Sequence, residues 1–317
     1  MTSTPATIYF GVPDLSYTPE QRAILTSPPE EHFPAEVLLH DFSTSSELTK
    51  GVDGLDVQGF TFLRHHSKIL ELGNRWDDAQ LHQYYHELEE LMCEWLGARK
   101  AFVVNTVVRR VSTWTDFSTW VDRNSKVGKD QESRQHDKIL VAGSQGKAGT
   151  GPVGKAHIDV TLQGMRDTVR FSRKDIAEWA QDILRAEDTG RPAPRYAMYS
   201  VWRPLHTVER DPMTVCDYRT VNRDGLIPVP IRFPSELIGE FIAASANLRR
   251  PANDEKNTQK WYWLPNQTPD DLLVIKNADT SLDHVAAWSP HAACRLQETQ
   301  AGDKARESVD CRVLVFW

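Results

Sequence analysis

Apolar and polar positions follow two periods along this chain, and each period marks a different kind of element. From Asp77/Asp78 to Leu96, the residues Leu81, Tyr84, Tyr85, Leu88, Leu91, Met92 and Trp95 recur at i, i+3/i+4 and i+7. That is the stripe of an amphipathic helix, and Gly97 is placed to close it. Two further helices are expected over Ile176–Leu184, capped by Ser172, and over Ser235–Leu248. Elsewhere the period falls to two. Ala101–Arg110 is a strand by its β-branched content, followed by Tyr196–Arg203, Met213–Asp217, Trp261–Leu264, Leu272–Asn277, Ala286–Cys294 and Ser308–Trp317. Over Arg306–Trp317, the segment that carries the last of these, apolar Val309, Cys311, Val313 and Val315 take one face, and Arg306, Ser308, Asp310 and Arg312 the other. Many short strands decorated by a few helices predict a mainly β protein, a double-sheet jelly roll.

The first 60 residues are rich in proline and acid, with short apolar pieces at Ala6–Phe10 and Val37–Leu39. They read as an arm wrapping a core, so that 1–100 forms an N-terminal arm and helix within one domain spanning 1–317. Between 113 and 152 the composition turns polar and Gly/Lys/Asp-rich, the mark of a long loop or lid.

Charge narrows the function. Thirty-seven Lys and Arg against 44 Asp and Glu give a formal net charge of −7, with no basic block, which argues against nucleic acid as a partner. No apolar run approaches a membrane span, and the start of the chain has neither the basic region nor the apolar core of a secretion signal. Cys93, Cys216, Cys294 and Cys311 lie far apart without paired spacing, so free thiols in a reduced cytoplasmic setting are expected. The expected partners are a small-molecule substrate and, at most, a second copy of the chain as a homodimer.

The candidate chemistry centres on Gly154-Lys155-Ala156-His157-Ile158-Asp159. In an extended strand His157 and Asp159 point the same way, presenting an imidazole beside a carboxylate. One more distant histidine would complete two histidines and one carboxylate on one face of a metal, the arrangement of non-haem Fe(II) oxygenases. On its own the triplet is weak, and a chance pair on a partly exposed strand is the better reading of it. The candidate third ligands are His284 and His291. His291 is preferred because the stretch Gln297–Lys304 leaves room for a return strand carrying Arg306, whereas His284 would need Arg295 as its companion. Arg306 with Ser308 suits a dicarboxylate, since a guanidinium grips a carboxylate through two parallel hydrogen bonds and the hydroxyl adds a third. Arg312 is the second choice for that role. Arg203 either clamps a carboxylate or forms a salt bridge to Asp217. Asn105 and Arg109 share a strand face and are candidate substrate contacts, and Trp263 and Trp288 are candidate pocket walls. His82 and His86 sit one helical turn apart, but without a third ligand they read as a partly buried helix face.

Seven segments extend this picture. Asn105–Arg110, Ala156–Asp159, Val201–Leu205, Pro212–Asp217, Lys260–Pro265, Ser289–His291 and Arg306–Arg312 occur in that order across roughly residues 100–317. Together they resemble the fungal hydroxylase/desaturase family that includes gibberellin desaturase, and they are similar to a bacterial component of cephem 7α-methoxylation. The resemblance implies a double-stranded β-helix, cupin-like, with Fe(II) held by His157, Asp159 and His291. It also implies 2-oxoglutarate and O2 as co-substrates, anchored by the terminal Arg/Ser strand, and a secondary-metabolite precursor oxidised by C–H abstraction. Hydroxylation, desaturation and ring closure, such as aziridine formation on an amino acid, all lie within that expectation. Relatives often carry an aromatic residue just after the distal histidine, where this chain has Ala293 and Cys294. A metal cupin without oxygenase activity and a catalytically silent accessory subunit are the competing readings.

Overall fold

The computed structural model describes residues 3–14, 16–18, 21, 30–73, 76–110, 151–251, 258–281, 286–300 and 302–317. All but the last two residues of the expected 113–152 loop, and His284, lie outside the described residues. In chain order the elements begin with β1 (Ser3–Pro13), β2 (Glu30–Asp41), α1 (Asp53–Val57), β3 (Phe60–Arg64), α2 (Asp78–Leu96), β4 (Lys100–Arg109) and β5 (His157–Ile158). Then come α3 (Leu162–Phe171), α4 (Lys174–Trp179), α5 (Gln181–Asp188), β6 (Tyr196–Pro204), β7 (Met213–Cys216), β8 (Leu226–Ser235) and β9 (Gly239–Leu248). The chain continues through β10 (Trp261–Trp263), β11 (Asp271–Asp279), β12 (His291–Ala293), β13 (Arg295–Leu296) and β14 (Ser308–Phe316).

Nine strands form one sheet in the order β13-β1-β2-β10-β7-β12-β5-β9-β8, and five form a second, β3-β11-β6-β14-β4. The sheets face each other across an apolar layer in which Trp202, Leu273 and Ile275 meet Met213, Val215 and Tyr262. On the outer face of the smaller sheet, α2 lays Tyr84, Leu88 and Met92 against Val201, Val309, Cys311 and Val313. At one end of the interior, Met165, Val169, Ile176 and Ile183 from α3–α5 pack on Met198, Leu314 and Phe316. The space between the sheets is thus plugged at that end, and the polar residues of β6 and β14 start where the plug stops.

The N-terminal arm is a long hairpin. β1 and β2 pair from Ser3↔His40 to Pro13↔Glu30, and Ala6, Ile8 and Phe10 cover Ala156, Ala292 and Cys294. Tyr9 donates its N–H to the Gly154 carbonyl at 2.9 Å and accepts from Ala156 N–H at 2.7 Å, strapping the arm to the segment that carries His157. At the far edge of the large sheet, β8 pairs with β9 along its full length although Pro228, Pro230 and Pro234 interrupt its donors. Because the ladder is unbroken, those missing donors lie on the side turned away from β9.

Helix α2 forms as its sequence predicts. Asp77 accepts from Gln80 N–H while the Gln80 side chain accepts from Asp77 N–H, and Gly97 ends the helix at φ +62°. His82 and His86 are exposed on it rather than partly buried. The Ser235–Leu248 segment is a correction: it is a β-hairpin return, not a helix. Its Ala-rich run favours helix locally, but Phe241, Ala243, Ser245 and Asn247 alternate into the protein and β8 satisfies its backbone. The small side chains there serve α3, which was not expected. Thr161 donates its N–H to the Ala244 carbonyl at 2.7 Å, and a Cβ at Gly164 would stand 2.7 Å from the same oxygen. The expected Ile176–Leu184 helix is broken at Ala180 into α4 and α5, and Ser172 ends α3 instead of starting α4. Of Ala286–Cys294 only His291–Ala293 is strand.

A charge cluster, buried at Lys276 and Asp279 and reaching solvent at Asp56 and Arg195, ties α1 to β11. Lys276 Nζ lies 2.5 Å from Asp56 and 2.8 Å from Asp279, and Arg195 pairs with both acids. No helix among the described residues is long and apolar enough to cross a membrane.

Candidate active site

Strands β5 and β12 are antiparallel neighbours, and their register sets His157 directly opposite His291. The ring centroids stand 4.5 Å apart. Asp159, two residues beyond His157, returns to the same face. Its Oδ1 is 3.4 Å from His157 Nε2 and its Oδ2 is 3.1 Å from His291 Nε2. One ligand atom from each residue falls within 4.8 Å of the others, making this a candidate metal site. Each ring is oriented from behind: His157 Nδ1 lies 2.8 Å from the Lys155 carbonyl and His291 Nδ1 3.3 Å from that of Ser289. A carbonyl accepts only, so Nδ1 carries the proton and Nε2 is free to bind a metal.

The electrostatics suit ligands. Burial, helped by the neighbouring His291, lowers the pKa of His157, keeping the imidazole neutral. Burial works against the charge on Asp159, but Arg312 and the histidines hold its carboxyl well below the usual range. Arg312, a candidate for the co-substrate, in fact lies 2.6 Å from Asp159 Oδ1 and 2.7 Å from Asp310. Both its carboxylate contacts are internal.

Arg306 is different. It is buried, donates from Nη1 to the Asp211 carbonyl at 2.6 Å, and rests over the Trp202 ring at 5.1 Å. Its Nε and Nη2 have no partner, and neither has the neighbouring Ser308 hydroxyl. Burial, then the nearby charge of Arg109, lowers the Arg306 pKa to about 10. Unpaired buried donors on this scale are rare, and three of them side by side have the chemistry to receive an anion. Arg109 stands opposite Ser308 in the β4–β14 register and Asn105 opposite Arg312, so both face the interior. Arg109 gives one bond to the Gly151 carbonyl at 2.8 Å.

Three expected contacts are not brought here. Arg203 projects from the outer face of β6, where Tyr84, His65 and the Pro269 carbonyl take its donors. The alternative salt bridge also fails, because Asp217 pairs with Arg219 at 2.6 Å. Trp263 and Trp288 pack on the cluster beneath the N-terminal hairpin, with Trp288 edge-on to Tyr218. Trp202 does point between the sheets. Cys294 is a buried core residue, and Arg295 is exposed.

Two site residues were missed. Ser200 donates to Asp159 Oδ2 at 2.7 Å, and Asn277 Nδ2 donates to Ser200 Oγ at 2.7 Å. The only trace in the sequence is parity: Ser200 is in step with inward Met198 and Trp202, while Asn277 sits between Lys276 and Ala278 with nothing to set it apart.

Known proteins resemble this chain in sequence and in fold. The family profile described as "Oxidoreductase/YMDC permease-like domain" matches residues 17–316. The hydroxylase/desaturase efuI of Hormonema carpetanum is 30% identical over 272 residues, covering 84% of this chain and 80% of the relative. An alpha-ketoglutarate-dependent dioxygenase, phiK, of a fungal species (strain ATCC 74256) is 26% identical over 265 residues, covering 83% and 79%. Among solved structures, the iron and alpha-ketoglutarate-dependent endoperoxidase NvfI superposes with a TM-score of 0.69 at 22% identity, covering 99% of this chain and 98% of that one. The shared fold is the jelly roll expected from the strand pattern. With a profile match over most of its length and a His-Asp-His centre in place, the chain belongs to the fungal hydroxylase/desaturase family of Fe(II)- and 2-oxoglutarate-dependent oxygenases.

Proposed function

We propose that His157, Asp159 and His291 hold the ferrous ion and that Arg306, with Ser308, anchors the distal carboxylate of 2-oxoglutarate. The observation that carries this reading is the buried Arg306–Ser308 pair, whose Nε, Nη2 and Oγ lack any partner. A buried guanidinium with two unpaired donors costs stability, and a dicarboxylate supplies the acceptors together with further negative charge. Bound at this site, the ion and its co-substrates O2 and 2-oxoglutarate supply the oxidant for abstraction of a hydrogen atom from a C–H bond.

The protein's own work is positional. The two Nδ1 bonds fix the rings, Arg312 braces Asp159 rather than the co-substrate, and Trp202 walls the anion pocket. Asn105 and Arg109 present polar groups on the same inner face, which favours a compact polar substrate carrying an acceptor over a wholly apolar one. We place hydroxylation, desaturation and ring closure, including closure of a nitrogen ring on an amino-acid precursor, within this chemistry. All four cysteines are free, which supports a reduced cytoplasmic setting.

The test is an anaerobic titration of 2-oxoglutarate into the Fe(II) protein, followed by consumption of 2-oxoglutarate on admitting O2. A visible charge-transfer band and turnover requiring both Fe(II) and O2 are expected. A protein that binds the ion but gives neither would instead be a silent accessory subunit or a metal cupin of another kind.

A further inference from the structure

The carboxylate of Asp159 is held from both sides. Arg312 contacts Oδ1 at 2.6 Å, and the Ser200 hydroxyl donates to Oδ2 at 2.7 Å. Ser200 has one proton to give, and its direction is set by Asn277, whose Nδ2 donates to Ser200 Oγ at 2.7 Å. A hydroxyl that accepts from the amide at its back is left to donate forwards, into the carboxylate.

Three features mark Asn277 as more than core filling. It is fully buried, yet its Oδ1 has no partner. An unpaired buried acceptor is destabilising, so an apolar side chain would be the more stable occupant if packing alone mattered. Reversing the amide would draw the Ser200 proton away from the charged acceptor, so the present orientation is the stronger one. Asn277 also falls where the β11–β6 register shifts, between Lys276 and Ala278, and such bulges re-aim side chains. The bulge is pinned on its flank: Lys276 N–H donates to the Gly59 carbonyl and the Lys276 carbonyl accepts from Ser289 N–H, both at 2.8 Å. Ser289 is the residue whose own carbonyl orients His291. One irregularity in β11 therefore reaches two of the three ligands.

We propose that Asn277 and Ser200 are positioning residues acting in series on Asp159: Asn277 aims the Ser200 hydroxyl, and that hydroxyl, opposite Arg312, fixes the carboxylate plane before a metal ion arrives. The proposal rests on the reading of His157, Asp159 and His291 as metal ligands. Hydrogen-bond partners behind metal ligands typically govern affinity about 10- to 100-fold.

Co(II), which binds such sites and absorbs in the visible, is the probe, titrated into the full chain without substrate or 2-oxoglutarate. Ser200→Ala should weaken Co(II) binding about 10- to 100-fold, with Ser200→Thr, which keeps the hydroxyl, restoring it. Asn277→Leu should weaken binding less and move the Co(II) bands. The decisive comparison is the double variant. Because the two residues act in series, Asn277→Leu should add nothing once Ser200 is Ala, with thermal melts checking that each variant folds. Undiminished loss from Asn277→Leu in the Ser200→Ala background, or wild-type affinity in both single variants, overturns the series arrangement. Failure of the wild-type chain to take up one Co(II) overturns the ligand assignment itself, and the proposal with it.

Discussion

Replacing His157, Asp159 or His291 by alanine deletes a polar group facing the interior space and opens no apolar cavity. Each variant should lose its iron, measured as metal per chain, while its melting temperature changes little. Arg312 keeps Asp310 as a partner when Asp159 is gone, so no guanidinium is stranded. Arg306, two residues before β14, and Arg312 within it should separate cleanly. Arg306→Ala should raise the 2-oxoglutarate requirement by about 30- to 150-fold, or about 2–3 kcal/mol, because a charge-assisted bidentate bond is lost. Arg312→Ala should instead lower iron affinity, since its partner is the ligand Asp159. Equilibrium titrations of each ligand on both variants decide this, and a larger 2-oxoglutarate defect at Arg312 would transfer the clamp there. The residues legible in the sequence were those two apart at the end of a strand, where extended backbone returns both side chains to one face, as with His157/Asp159 and Arg306/Ser308. Arg203 was misplaced because its neighbours suggested a motif while its parity, shared with Ala197, Tyr199 and Val201, puts it outside. Ser200 escaped notice because a lone serine carries no chemical signature until the fold brings Asp159 to it.

At the scale of elements, local propensity was reliable where a segment closes its own hydrogen bonds. Helix α2 announces both ends, with Asp77 and Gln80 at one and Gly97 at the other. It failed in β9, whose alanines permit a helix but whose backbone is satisfied by the distant β8. The same small residues make the α3–β9 contact a tight one. Gly164→Ala would force a methyl to 2.7 Å from the Ala244 carbonyl and should cost about 1–3 kcal/mol, read as a lower denaturant midpoint. Since α3 helps plug the interior, the 2-oxoglutarate requirement of the variant should change less than its stability. The strand expected over Ala286–Cys294 shrinks to His291–Ala293 for a related reason: so short a run holds no period of its own, and its extent is set by pairing with β5 and β7.

For the whole molecule, Asp56, paired with Lys276 and Arg195, contributes to the response to acid. Burial disfavours charge on Asp56, but hydrogen bonds from Arg195 and the charge of Lys276 outweigh it and lower its pKa below the ordinary 3.8. A folded value below the unfolded one contributes stability that is present above about pH 4 and lost as pH falls through the folded value. The urea midpoint should therefore drop on acidification below pH 4, and Asp56→Asn should flatten that dependence while lowering the midpoint near neutrality. An unchanged slope in the variant would assign the acid response to other carboxylates.

The prolines of β8 bear on how such a sheet behaves in company. A nine-stranded sheet ends in a row of backbone groups that would template any passing extended chain. At positions 228, 230 and 234 that row has no hydrogens to offer. A nascent or partly unfolded copy meeting this edge finds acceptors without the alternating donors a ladder needs, so growth by strand addition stops there. Whatever association two copies make across this side must be built from side chains.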